Sequence, residues 1–236
     1  MADAILIRYI ARVRLPSGPL ALAGIVGIAL VGGCSANGAT GASSTSPSPA
    51  VDISKIVSLK PSFGPDFTVQ AIPKTAIDPK LLSPLQFQQG LTWDPADCSK
   101  YAWTLPTGLK GNIASVSAEG EGNRFIAMAI ETSEPVSVDP AVVDKCRHVS
   151  FTGADLRGVV DVVDAPHIDG VQTLGKHRRL QTAVGSGELY TYVAYLGNYL
   201  VMVTANPLPA PNQPVPPVNV QRAQHLLTDA VAAVRV

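Results

Sequence analysis

The sequence is poor in charge. Only 15% of its 236 residues are Asp, Glu, Lys or Arg, and 18 basic side chains are matched by 18 acidic ones. Nucleic-acid binding depends on a basic face that displaces counterions, so the near-neutral balance argues against that partner class. With 46% hydrophobic residues against so few charges, binding fits the composition better than catalysis in a polar active site. Cysteine is rare too: Cys34, Cys98 and Cys146 carry no CxxC, and no HxxxH accompanies them, so zinc is not expected. The four histidines, His148, His167, His177 and His225, are too scattered to suggest a catalytic triad or a ligand set. Gly185-Ser186-Gly187 resembles half of a nucleophile elbow, but it lacks the GxSxG spacing and reads as a turn. Long apolar runs are missing as well. Leu20 to Val31 spans about a dozen residues, short of the roughly 20 that a helix needs to cross a hydrocarbon core. No internal repeat is visible, and no motif implies a cofactor or a metal.

What is present begins with the leader. Arg8, Arg12 and Arg14 precede the apolar run, and Val31-Gly32-Gly33-Cys34 sets small residues just ahead of a cysteine. This stretch resembles the lipobox of bacterial lipoproteins. The resemblance implies that residues 1–33 are a signal peptide, that the Cys34 thiol takes a diacylglyceryl group, and that Cys34 becomes the mature amino terminus, held at the extracytoplasmic face of the membrane. Each buried methylene contributes about 0.8 kcal/mol, so two or three acyl chains make membrane residence effectively permanent. An ordinary secretory signal, cut nearby to leave a soluble exported protein, is the alternative. Residues 34–50 form a Ser/Thr/Gly/Pro-rich stalk without charge or bulky apolar side chains, composition that spaces rather than folds.

Residues 51–236 suffice for one domain with a substantial core. With Cys34 set aside for lipid, Cys98 and Cys146 remain as an even pair, and an oxidising compartment favours their joining; two free buried thiols are the alternative. Trp93 and Trp103 flank Cys98, either as packing over that disulfide or as a sugar-stacking platform.

The pattern predicts a helix from Asp52 to Leu59 with Asp52 as N-cap, a strand from Phe67 to Ile72, and a helical stretch from Leu81 to Gln89. Trp93 to Cys98 reads as a tight loop. A hairpin joins Ile113–Ala118 to Arg124–Glu131, and a helix capped by Asp139 delivers Cys146 to the core. Strands follow at Arg157–Val163 and Leu174–Val184, then a hairpin of Leu189–Leu196 and Tyr199–Ala205 around Gly197-Asn198, with both faces covered. Asn206 to Pro217 is extended by its prolines, and Asn219 caps a final helix that buries Val220, Ala223, Leu227, Ala230, Val231 and Val234. The expected class is α+β: an antiparallel sheet covered by helices, including the C-terminal one.

Among candidate sites, Asp161, Asp164, His167 and Asp169 offer oxygens and an imidazole, but they lack the density of a calcium loop and the second His or Cys that zinc would want. In Lys176-His177-Arg178-Arg179, alternation sends Lys176 and Arg178 to one face and His177 and Arg179 to the other. Such a strand suits either anionic head groups and cell-wall phosphates or the charge protection of a sheet edge. Tyr190 and Tyr192 point together toward a gap beneath the terminal helix, where they either hold an acyl chain or glycolipid or simply fill core.

The whole pattern, with FTVQAIPKT and LTWDPADC, resembles a set of mycobacterial lipoproteins of unknown function, and more distantly the exported sensor domain of the PknH-type receptor kinase. That resemblance implies a membrane-anchored, sensor-like or binding lipoprotein of the cell envelope. A hydrolase acting on envelope lipids or glycans, or an adaptor docking a protein partner, are the rival readings.

Overall fold

The computed structural model describes residues 50–78, 90–102, 109 and 111–236. The helix predicted at residues 81–89, the leader and the stalk up to residue 49 lie outside these. Among the described residues nine strands form one sheet, antiparallel throughout: β1 (Thr68–Ala76), β2 (Thr92–Asp94), β3 (Gly111–Gly120), β4 (Asn123–Thr132), β5 (His148–Thr152), β6 (Leu156–Val163), β7 (Gln172–Thr182), β8 (Gly185–Tyr195) and β9 (Tyr199–Pro207). Their spatial order is β1-β3-β4-β9-β8-β7-β6-β5-β2. From β5 onward the chain simply meanders back to meet β4.

Local chemistry sets the turns and caps. Between β3 and β4, Glu121 and Gly122 take φ of 49° and 72°, the left-handed pair that a two-residue hairpin turn demands. Leu196 and Tyr199 exchange backbone hydrogen bonds at 2.9 and 3.3 Å around Gly197-Asn198, as expected of that dipeptide. The Asp52 carboxylate accepts from the Ser54 amide at 3.0 Å and starts a 3-10 helix over Ile53–Phe63. Three α-helices follow among the described residues: α1 (Ser99–Ala102), α2 (Pro140–Lys145) and α3 (Val220–Val234). Asp139 caps α2 through the Ala141 amide at 2.9 Å, and Asn219 caps α3 through the Arg222 amide at 3.0 Å.

The expectation of helices covering a sheet is corrected here. Among the described residues 47% are strand and 23% helical, so the fold is mainly β. Two physical reasons account for the difference. Short strands escaped the pattern: β2 arose where a tight loop was expected, and β5 has only five residues. The helices are also slight, since α1 and α2 have four and six residues and the N-terminal segment, with Pro61 inside it, winds as 3-10. Gly185-Ser186-Gly187 opens β8 instead of turning; the turn falls at Ala183-Val184.

The main core lies where Ile53, Ile56 and Phe63 of the 3-10 helix and Leu227, Val231 and Val234 of α3 meet β3, β4, β9 and β8. The start of the folded domain meets the C-terminus there as well, since the Asp52 amide donates to Val234 O at 2.8 Å and Val236 N to Ala50 O at 2.9 Å. On the reverse side of the same strands, Ile113, Met128, Ile130, Val193, Leu200 and Met202 form a second cluster, so the last hairpin is covered on both faces. A third cluster surrounds Cys98 and Cys146, bonded at a Cα–Cα distance of 5.6 Å, with Tyr101, Val149, Phe151 and Val160. Helix α3 and the 3-10 helix thus cover β1, β3, β4, β8 and β9 on one face. The remainder of that face, over β5 to β7, is where the polar residues gather.

Candidate functional site

The basic run of β7 divides between the two faces of the sheet as alternation requires. It does not guard an edge, because β7 lies between β6 and β8. Its charges therefore need another explanation, and their neighbours supply one.

On the face left open beside α3, register places three cross-strand rows over β5, β6, β7 and β8. The first is Thr152, Arg157, Gln181, Ser186; the second Ser150, Val159, Arg179, Glu188; the third His148, Asp161, His177, Tyr190. Directly opposed side chains stand about 5 Å apart and diagonal ones about 7–8 Å, so the twelve residues form one continuous surface. Asp94 and Thr92 of β2 extend the second and first rows at the sheet edge.

Hydrogen bonds hold this surface in a fixed arrangement. The Asp161 carboxylate spends one oxygen on His148 Nδ1 at 2.6 Å and the other on an Arg179 Nη2 at 2.7 Å. Partial burial pushes its pKa up, but the bonds from His148 and Arg179 outweigh that and hold it below the usual carboxylate range. His177 Nε2 meets the Glu188 carboxylate at 2.8 Å, and its ring stacks on Tyr190 with centroids 4.0 Å apart and planes within 7°. Arg157 donates from Nε and Nη2 to the single Gln181 Oε1, at 3.0 and 2.8 Å. Among the described residues Arg157 makes no ion pair. Among the same residues, no serine, threonine or cysteine side chain hydrogen-bonds either imidazole.

The opposite face of β7 is dry. Lys176 is 5% exposed; its ammonium donates to the Tyr101 carbonyl and lies 4.0 Å from the Tyr101 ring centroid. Burial pulls its pKa down to about 7 and also lowers that of Arg178. Nearby Tyr195 is raised to about 12, again by burial. This face supports the disulfide cluster. A separate polar groove of about 360 Å³ runs between the 3-10 helix and α3, lined by Ser62, Asn219, Arg222, His225 and Asp229.

The residues singled out in the sequence fall in different places. Tyr190 borders the open face, but one side of its ring is taken by His177, which leaves its edge and hydroxyl for contact. Tyr192 is wholly buried in the main core. Trp93 packs on Phe151 at 5.2 Å beside the disulfide, on the other side of the sheet. Trp103 and Cys34 lie outside the described residues. Asp161 joins the third row, Asp164 lends its backbone carbonyl to Gln224, and His167 and Asp169 make an exposed pair at 3.3 Å. Among the described residues no three His, Cys, Asp or Glu side chains gather as a metal site.

A family model described as "Domain of unknown function (DUF5642)" matches residues 52–235. The chain belongs to this family. An X-ray structure of an uncharacterized protein from Mycobacterium smegmatis, described as an Rv0999 ortholog, is 54% identical, with a TM-score of 0.72 over 80% of this chain and 99% of that one. The extracellular domain of PknH from Mycobacterium tuberculosis matches at 13% identity and a TM-score of 0.37, over 78% of this chain and 92% of that one, too remote to carry an argument. No curated protein matches. The resemblance to uncharacterised mycobacterial proteins is thereby borne out.

Arg157, Gln181 and Glu188 carried no signal as a group in the sequence. They sit on three different strands, and only the register of β5 through β8 places them on one face. The alternation of β7 alone was legible, and it correctly separated Arg179 from Lys176.

Proposed function

We propose that the protein is a lipid-anchored component of the cell envelope whose folded domain binds a lipid or glycolipid and does not catalyse. Export and anchoring rest on Cys34 and its VGG-Cys box, supported by the buried Cys98–Cys146 bond, a linkage that persists in oxidising compartments. Among the described residues no helix is long and apolar enough to cross a membrane. The single observation that carries the binding role is the open polar face. Its two imidazoles are held in orientation by carboxylates and serve there as recognition groups.

Two measurements test this reading. Wild type should fractionate with membranes and carry the mass of a chain that begins at an acylated Cys34, whereas Cys34→Ala should carry no acyl mass and keep residues 1–33; a variant of unchanged mass that stays in the membrane rules out the anchor. Native mass spectrometry of protein from its own host, followed by lipid extraction, should show a retained lipid or glycolipid, and an empty domain under conditions that preserve fold argues against the ligand.

A further inference from the structure

We propose that Arg157 and Arg179, on the open sheet face, form a binding site for a phosphoryl group borne by an envelope lipid or glycan. From the reading above this takes over only that the domain binds an envelope component; it is independent of Cys34.

The argument starts from Arg157. Its guanidinium is exposed, yet its orientation is set: Nε and Nη2 both bond the neutral Gln181 amide oxygen. That leaves the terminal edge, with Nη1 and the outer hydrogen of Nη2, outside these two bonds. Among the described residues it meets no carboxylate. A guanidinium that is aimed, uncompensated and still holding a two-pronged donor edge is the geometry that complements two oxygens of a tetrahedral oxyanion. Pre-organisation by Gln181 also lowers the side-chain entropy that a ligand must otherwise overcome.

Arg179 supplies the second arm. It is the diagonal neighbour of Arg157, since Arg157 stands opposite Gln181 and Arg179 lies two residues before Gln181 on the same face. It is also 56% exposed and commits only one nitrogen to Asp161. Asp161 is shared with His148, so Arg179 is only partly neutralised. The hydroxyl of Thr152 stands directly opposite Arg157 and can donate to the same anion. Of the other carboxylates of this face, Glu188 stands directly opposite Arg179 but is turned to His177, and Asp94 stands three strands from Arg179. The site is consequently a local feature of a face that also carries carboxylates, which favours one phosphoryl group over a polyanion.

The test uses the full chain carrying Cys34→Ala, so that no covalent lipid competes. Inorganic phosphate is titrated calorimetrically near pH 6 and at low ionic strength, where screening is least. Saturable binding with Kd of about 1–10 mM is expected, weakened at least about tenfold by Arg157→Gln with Arg179→Gln. Arg157→Lys keeps the charge but loses the fork, so it should fall between the two. Arg222→Gln, in the groove by α3, should bind as the parent does. Vesicles of phosphatidylcholine with and without roughly 20 mol% phosphatidylinositol separate the sources. Selective binding to the anionic vesicles identifies a lipid head group, and phosphate binding without vesicle binding identifies a soluble or glycan-borne phosphate. Binding unaffected by Arg157→Gln, an exposed substitution that leaves the core intact, overturns the proposal, as does the lack of any saturable phosphate response.

Discussion

Replacing Cys98 and Cys146 together by alanine should cost this domain a large share of its stability, and the structure sets the size. The bond closes a loop of 48 residues, for which the chain-entropy relation gives about 4 kcal/mol at room temperature. It joins the segment after edge strand β2 to the end of α2, just before β5, and β2 and β5 are themselves neighbours in the sheet. The exposed Lys145–Asp97 ion pair spans the same two segments but is too solvated to replace it. In a domain of this size each kcal/mol moves the thermal midpoint by about 2–4 °C, so a fall of roughly 8–16 °C is expected. Urea unfolding of the oxidised, the reduced and the double-alanine proteins would measure it, and the two proteins lacking the bond should show a larger m-value because their denatured chains expose more surface. A stability loss below about 1 kcal/mol would refute the reasoning, since the clip would then not be restricting the unfolded chain.

Lys176 makes stability depend on pH. Its folded pKa is about 7, against about 10.4 for an unfolded lysine, so between these values the unfolded chain holds a proton that the folded chain lacks, and stability should rise as pH climbs from 7 toward 9.5. Lys176→Met should flatten that slope and stabilise the protein most below pH 7, as followed by thermal melts across the range; an unchanged slope would exclude Lys176 as its source. Asn123 is 4% exposed and fastens the β3–β4 turn to the proline-rich strap, donating to Glu121 O at 3.1 Å and Pro217 O at 3.3 Å and accepting from the Asn219 amide at 3.1 Å. Asn123→Ala should therefore lower stability by about 1–3 kcal/mol, with faster hydrogen exchange at the start of α3; protection unchanged at Asn219 would show the strap to be held by other contacts.

Much of the backbone was legible because its signals are local. Asp52, Asp139 and Asn219 are short polar side chains placed just ahead of helical apolar spacing, and each accepts the expected amide. Gly122 and Gly197 mark hairpins because their positive φ is awkward for a side chain. The strands that escaped, β2 and β5, are too short to show alternation, and they owe their pairing to partners far along the chain. The buried lysine escaped for a related reason: a charged residue in a strand suggests an edge unless the neighbouring strands are known, and β6 and β8 flank it.

The amino-acid sequence alone determined the alternation along β7 and β8, the helix caps, the hairpin turns at Gly122 and Gly197 and the even pairing of two cysteines, because each depends on residues close together in the chain or on simple counting. Only the tertiary structure decided that the domain is mainly β, that β7 is interior, and that Arg157, Gln181, Asp161, Arg179, His177 and Glu188 share one face. Strand order and register are contacts between distant segments, chosen by the packing of the whole sheet against its core, and no local pattern of side chains encodes them.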